Sequence, residues 1–198
     1  MSDLLALDVA ILPPAEVRDR AIALNAALPA ADFQGLRLDE AHPPHVTLTQ
    51  QFVRTADLDR AFERLDRVLR GHPPLTLPVT GGGKTFSSAV WMAIAPTDAL
   101  TSLHERLMEA LKDFEHVGGG SAPFVDGNPR MGDIAWVNGY RLQSSFLAWN
   151  PHITLGHASE PPVIEPFTFE ATTVAACHLG RFCTCQRVLR EWELGGSG

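Results

Sequence analysis

Lysine is nearly absent from this chain of 198 residues: only Lys84 and Lys112 occur, in a protein of net charge −7. An extended basic face, which a sequence-independent grip on long nucleic acid requires, is therefore not expected. Cysteine is scarce as well, and three copies are an odd number that argues against a disulfide framework. That pattern suits a reducing compartment, so the expected location is cytoplasmic. No apolar run approaches the roughly 20 residues that a bilayer-spanning helix needs. The apolar opening LLALDVAIL (4–12) contains an Asp and has no basic region before it, so it does not read as a secretion signal. A membrane partner is not expected. The hydrophobic fraction of 45% excludes a disordered chain, and this length supports a core without metal or disulfide.

What is present has a clear rhythm. Residues 4–12 form a short apolar run stopped by Pro13 and Pro14, as a buried strand would be. Val17, Ala21, Leu24 and Leu28 follow at helical spacing, ended by Pro29. HVTLTQQFV (45–53) reads as a strand, and Thr55 as the N-cap of a helix over 55–70. Strands are expected at 75–79 and 87–95, and a third helix from near Thr97 to Phe114. The segment 115–132 is rich in glycine, proline and polar residues, and strands are expected at 134–142, 150–156, 167–175 and 186–194. Residues 195–198 (GGSG) read as a flexible tail. The order strand, helix, loop, strand occurs twice, once within 1–82 and once within 83–194. The expected fold is α+β and bilobal: one domain over 1–194, with two mainly antiparallel sheets facing a central cleft and helices packed outside.

Chemistry concentrates in two words, PHVTL (44–48) and PHITL (151–155). Successive strand side chains point to opposite faces. His45 and Thr47 thus share one face while Val46 and Leu48 enter the core, and His152 and Thr154 do the same in the second copy. A lone HxT is most simply a histidine satisfied by a carbonyl beside a strand-forming threonine. Two copies in matching strands of a repeat bring four polar side chains to one cleft. Two imidazoles with unperturbed pKa near 6.5 can hold opposite protonation states near neutrality, as cleavage at phosphorus by a base and an acid requires. Threonine hydroxyls can orient the phosphate oxygens.

With these words in matching places, the chain resembles the 2H phosphoesterase superfamily, especially its 2′-5′ RNA ligase and cyclic phosphodiesterase-like branch. The resemblance runs from the first strand to the closing VLREWEL strand. It implies a catalytic set of His45, Thr47, His152 and Thr154, with no metal and no cofactor. It also implies hydrolysis of 2′,3′-cyclic or 2′-5′ nucleotide or RNA phosphodiesters, with weak resealing in reverse for some members. The expected partner is a small nucleotide or RNA-end phosphodiester, bound by a monomer. A non-catalytic module that binds a nucleotide or RNA end is the alternative. The long insertion over 115–149 is a departure from the pattern and leaves the substrate open.

Other signals point elsewhere. GGGKT (81–85) ends like a phosphate-binding loop, but Pro78 holds the required first glycine and a strand follows, so a hairpin turn is expected. Cys177, His178, Cys183 and Cys185 lack zinc-knuckle spacing and read as small buried thiols and a neighbour. His42, His72, His104, His116, His157 and His178 lack the HxT setting and are expected at the surface or in loops. His157 leaves the catalytic face by parity if its strand continues evenly. Trp91, Trp136, Trp149 and Phe182 are candidates to stack a base, with core packing the simpler reading of each. Segment 116–132 reads as a crossover loop, or as a lid carrying Phe124 or Arg130.

Overall fold

The computed structural model describes residues 2–86 and 88–196; Ser87, which opens an expected strand, and the tail residues Ser197 and Gly198 lie outside these. Eight strands, β1 (Leu4–Leu12), β2 (Val46–Arg54), β3 (Leu75–Lys84), β4 (Ala89–Ile94), β5 (His152–His157), β6 (Phe167–Ala171), β7 (Thr173–Leu179) and β8 (Cys185–Glu193), form one sheet in the order β6-β3-β4-β5-β2-β1-β7-β8. Every pairing is antiparallel. The helices are α1 (Ala15–Ala27), α2 (Leu58–Leu69), α3 (Asp98–Leu111) and α4 (Met131–Gln143). The fold is α+β.

One continuous sheet stands where two facing sheets are expected from sequence; its halves β6-β3-β4-β5 and β2-β1-β7-β8 meet, among the described residues, through the pair Val46 and Ile153. Each half mixes early and late segments, since β7 and β8 pair beside β1 while β6 pairs with β3. The strand expected over 167–175 divides at Thr172, whose carbonyl accepts from Leu194 N at 2.6 Å. β6 forms one edge of the sheet and β7 lies near the other, yet one residue links them. A flat sheet could not span that gap, so this one curls.

Strand parity sorts the two faces. Leu5, Leu7, Val9 and Ile11 of β1 enter a core shared with Leu65 and Leu69 of α2 and Leu100, Leu103, Leu107 and Leu111 of α3. The leucine stripes of α2 and α3 therefore lie against the sheet, as their spacing predicts. The alternate residues Ala6, Asp8 and Ala10 face the other way; Ala6 packs with Phe52, Phe124 and Val137.

Val137 belongs to α4, where sequence predicts a strand over 134–142. The alternation Ile134, Trp136, Asn138, Tyr140, Leu142 mimics a strand, but the buried residues are Asp133, Val137 and Tyr140, at spacings of four and three. Arg130 and Asp133 close a capping box at its first turn. The glycine run 81–83 is also not a turn: it lies within β3, and the chain reverses after Lys84. Thr55 bonds Asp3 O at 3.3 Å instead of capping, and α2 begins at Leu58 after a short 3-10 turn.

Candidate active site

The His-x-Thr words lie where the two sheet halves meet. Val46 and Ile153, the joining pair, are fully buried, as are Leu48 and Leu155. His45, Thr47, His152 and Thr154 alternate with them and are half-buried. In an antiparallel register through Val46 and Ile153, Thr47 neighbours His152 and His45 neighbours Thr154. The four side chains thus share the face opposite the helical core, and the charge of His45 is felt at His152.

Both imidazoles are tethered alike. His45 Nδ1 lies 3.0 Å from Pro43 O, and His152 Nδ1 lies 2.7 Å from Asn150 O, in each case the carbonyl two residues earlier. A carbonyl only accepts, so each Nδ1 carries a proton and donates it. Each neutral ring therefore keeps its lone pair on Nε2. The proline or asparagine carbonyl before the strand fixes the tautomer that proton transfer would use.

Their surroundings differ. Asp8, fully buried on β1, places Oδ2 3.6 Å from His45 Nε2. That is too long for a hydrogen bond and short enough for charge attraction. Gln50 Nε2 donates to Asp8 Oδ2 at 2.7 Å and Thr47 Oγ1 donates at 3.1 Å, while Asp8 Oδ1 has no partner. Burial pushes the Asp8 carboxyl up from the ordinary carboxylate range, against the pull of His45, Gln50 and Thr47. Among the described residues, no carboxylate pairs with His152. Burial pushes its pKa down, with the charge of His45 acting in the same direction.

The indole of Trp91, cross-strand partner of Thr154, packs on His152 with ring centroids 5.1 Å apart. This explains the glycines of β3. Gly83 pairs with Trp91, and a Cβ there would run into the indole. The other aromatic candidates divide. Trp149 stacks on His104 at 4.2 Å and donates to Thr47 O at 3.2 Å, so it braces β2 from behind. Trp136 is partly exposed on α4 and packs edge-on against Tyr140.

Two histidines depart from expectation. His104 is fully buried, with Nδ1 2.6 Å from Leu48 O and Nε2 accepting from Phe146 N at 2.9 Å. It is a core bridge between α3 and β2. His157 returns to the cleft face because a bulge interrupts β5: Val90 pairs with Gly156 and Trp91 with Thr154, leaving Leu155 extra. Gly156 has φ of 138°, a region that favours glycine. The His157 ring packs 5.9 Å from Phe182, over which Arg130 lies at 3.9 Å.

The segment 116–132 is tied to the sheet: Phe124 meets Phe52 edge-on at 5.8 Å and Pro123 O accepts from Ala6 N at 2.9 Å. The cysteine cluster does not form a zinc knuckle. His178 turns to Pro123 O at 2.7 Å, and Cys177 and Cys185 are buried next to Ala10 and Ala175. Sequence analysis missed Asp8 and Gln50. The signal was a lone carboxylate in an otherwise apolar buried strand, where an acid needs partners to be tolerated.

Solved structures share this arrangement of strands. Escherichia coli LigT complexed with NADP+ superposes with a TM-score of 0.65 at 22% identity, covering 98% of this chain and 99% of that one. The same protein complexed with 3′-AMP gives 0.64 at 22%, over 98% and 99%. TT0787 of Thermus thermophilus gives 0.64 at 18%, over 98% and 100%. No curated protein sequence matches the chain. The sequence profile of the 2′-5′ RNA ligase superfamily matches residues 13–183, which contain both His-x-Thr strands. The chain belongs to the 2′-5′ RNA ligase superfamily, and so to the phosphodiesterase type of enzyme.

Proposed function

We propose that the protein hydrolyses 2′,3′-cyclic or 2′-5′-linked nucleotide or RNA phosphodiesters without metal, with weak ligation in reverse. His45, Thr47, His152 and Thr154 form the catalytic set. The observation that carries this reading is the pair of imidazoles on adjoining strands, each tethered through Nδ1 so that Nε2 is left for proton transfer. LigT, a protein of the same fold, binds phosphate and 3′-AMP, which matches a phosphate-centred site.

The surroundings support one assignment of roles. His152, held neutral by burial, takes a proton from water through Nε2 as that oxygen bonds to phosphorus. His45, whose Nε2 stands 3.6 Å from Asp8 Oδ2, gives its Nε2 proton to the departing ribose oxygen as the P–O bond breaks. One P–O bond forms and one breaks, and the two protons leave a phosphomonoester and a free hydroxyl. The Thr154 hydroxyl donates to a non-bridging oxygen, where negative charge accumulates, and Thr47 does the same by turning its hydroxyl from Asp8 Oδ2 to the phosphate.

The test is turnover of 2′,3′-cyclic mononucleotides and 2′-5′-linked dinucleotides under excess chelator, with phosphorus NMR locating the opened bond. Ring opening to a monoester in chelator is expected. Tight binding without product would make the protein a binding module. Activity abolished by chelator and restored by added metal would overturn the two-histidine scheme.

A further inference from the structure

One side of the site carries a thiol that proton transfer does not use. Asp8, His45 and Cys185 each bring one donor atom to a common point, all within 4.8 Å of one another, and among the described residues no other such cluster of three is found. Asp8 and Cys185 are buried and His45 is half-buried. We propose that these three side chains form a binding site for a borderline-soft divalent ion such as Zn2+, and that the bound ion inhibits by withdrawing His45 from proton transfer. The inhibitory half rests on the function proposed above; the binding half does not.

The donor set is one that zinc accepts: thiolate, imidazole and carboxylate. Zinc bonds of about 2.0–2.3 Å in a tetrahedron place ligand atoms roughly 3.3–3.8 Å apart. Asp8 Oδ2 and His45 Nε2, at 3.6 Å, already stand at that spacing. Cys185 Sγ lies within 4.8 Å of both.

Each ligand is also supported from behind, as metal ligands are. Pro43 O holds His45 Nδ1–H and so presents the Nε2 lone pair. Gln50 and Thr47 donate to Asp8 Oδ2, which orients the carboxylate and leaves Oδ1 buried without a partner. Cys177 packs beside Cys185 on the buried side of the cluster. Without an ion, a buried acceptor beside a thiol and an imidazole is an incompletely satisfied cluster. With one, the carboxylate and thiolate charges are neutralised together. Binding is balanced by loss of the Cys185 S–H proton to solvent, and of the His45 Nε2 proton where that ring is charged, so affinity rises with pH.

Cobalt(II) is the probe, because a cobalt–thiolate bond gives a near-ultraviolet charge-transfer band that imidazole and carboxylate do not. Titration of the full chain should give that band with one equivalent bound, and Zn2+ should displace it. Cys185→Ser should lose the band and keep its basal turnover in chelator. Its sensitivity to Zn2+ should fall by at least the 10–100-fold expected for loss of a supporting contact. Cys183→Ser should retain the band. No charge-transfer band in the unaltered protein with equimolar Co2+ would overturn the site, whatever the folding of the variants. A band that survives Cys185→Ser would overturn the ligand assignment. A Co2+ band in a protein that turns over none of the phosphodiesters would leave the site standing and remove the catalytic reading, while turnover unaffected by saturating Zn2+ would do the reverse for inhibition.

Discussion

PHVTL and PHITL differ at one position, and both place an imidazole on a backbone carbonyl two residues upstream. Around His45 lie a buried carboxylate, an amide and the Cys185 thiol; against His152 packs the indole of Trp91. Nearly identical local words have received different surroundings. Strand pairing explains how. β2 is bordered by β1, whose Asp8 faces the site, whereas β5 is bordered by β4, which offers Trp91. A duplicated strand supplies two copies of a titratable group, and the neighbouring strands give the two copies different surroundings, the basis of the roles proposed above.

The comparison breaks most visibly if both histidines are not needed. His45→Ala and His152→Ala should each lower turnover by about 100-fold to 10,000-fold, the usual contribution of general acid–base catalysis. The double variant should be little worse than the worse single one, because partners in one step are strongly non-additive. Steady-state kinetics on a 2′,3′-cyclic mononucleotide measures this, and near-wild-type turnover in either single variant would leave the two strands unlinked.

A smaller change sharpens the contrast from the β1 side. Asp8→Asn removes the charge beside His45 and nothing beside His152. The bell-shaped rate profile should keep its acid limb, set by deprotonation of His152, while turnover near neutrality falls. Stability provides a separate reading. Burial raises the folded pKa of Asp8 above the ordinary 3.8, so its neutral form is the one the fold favours. The stability of the unaltered protein relative to Asp8→Asn should therefore be greatest below 3.8. It should fall as pH rises through the raised folded value, and be flat above it. Thermal melts across a pH series check the sign, and a difference that grows with pH would contradict it.

The smallest effect is expected on the β5 side. Trp91→Ala exposes His152 to water, and its pKa should rise back toward 6.5, the reverse of the lowering that burial causes. The acid limb should move up and the alkaline limb should stay, with only a modest loss of turnover near neutrality. NMR titration of the His152 ring protons reads the shift directly, and an unchanged value would mean that the indole does not set its environment.

Much of this was legible from residue patterns. The leucine stripes placed α2 and α3, and the alternation within each HxTL word placed four polar residues opposite two pairs of core residues. Where reading failed, a local pattern admitted two answers. IAWVNGY fits period two as well as a helix, and only its contact with Phe52 on the sheet selects the helical face. GGGK looks like a turn until Trp91 is known to need the space that a side chain at Gly83 would fill. His157 follows parity until a one-residue bulge at Leu155 reverses it.

By itself, then, the sequence determined the two histidine–threonine strands, the helices behind them and the chemistry that paired imidazoles can perform, because these depend on spacing within short segments. The tertiary structure alone decided that Asp8 stands beside His45 and Trp91 beside His152, and that Cys185 reaches the same corner. Those neighbours come from strands far away in the chain. Their meeting is set by sheet order and curl, which arise from burying a shared core and are written in no single segment.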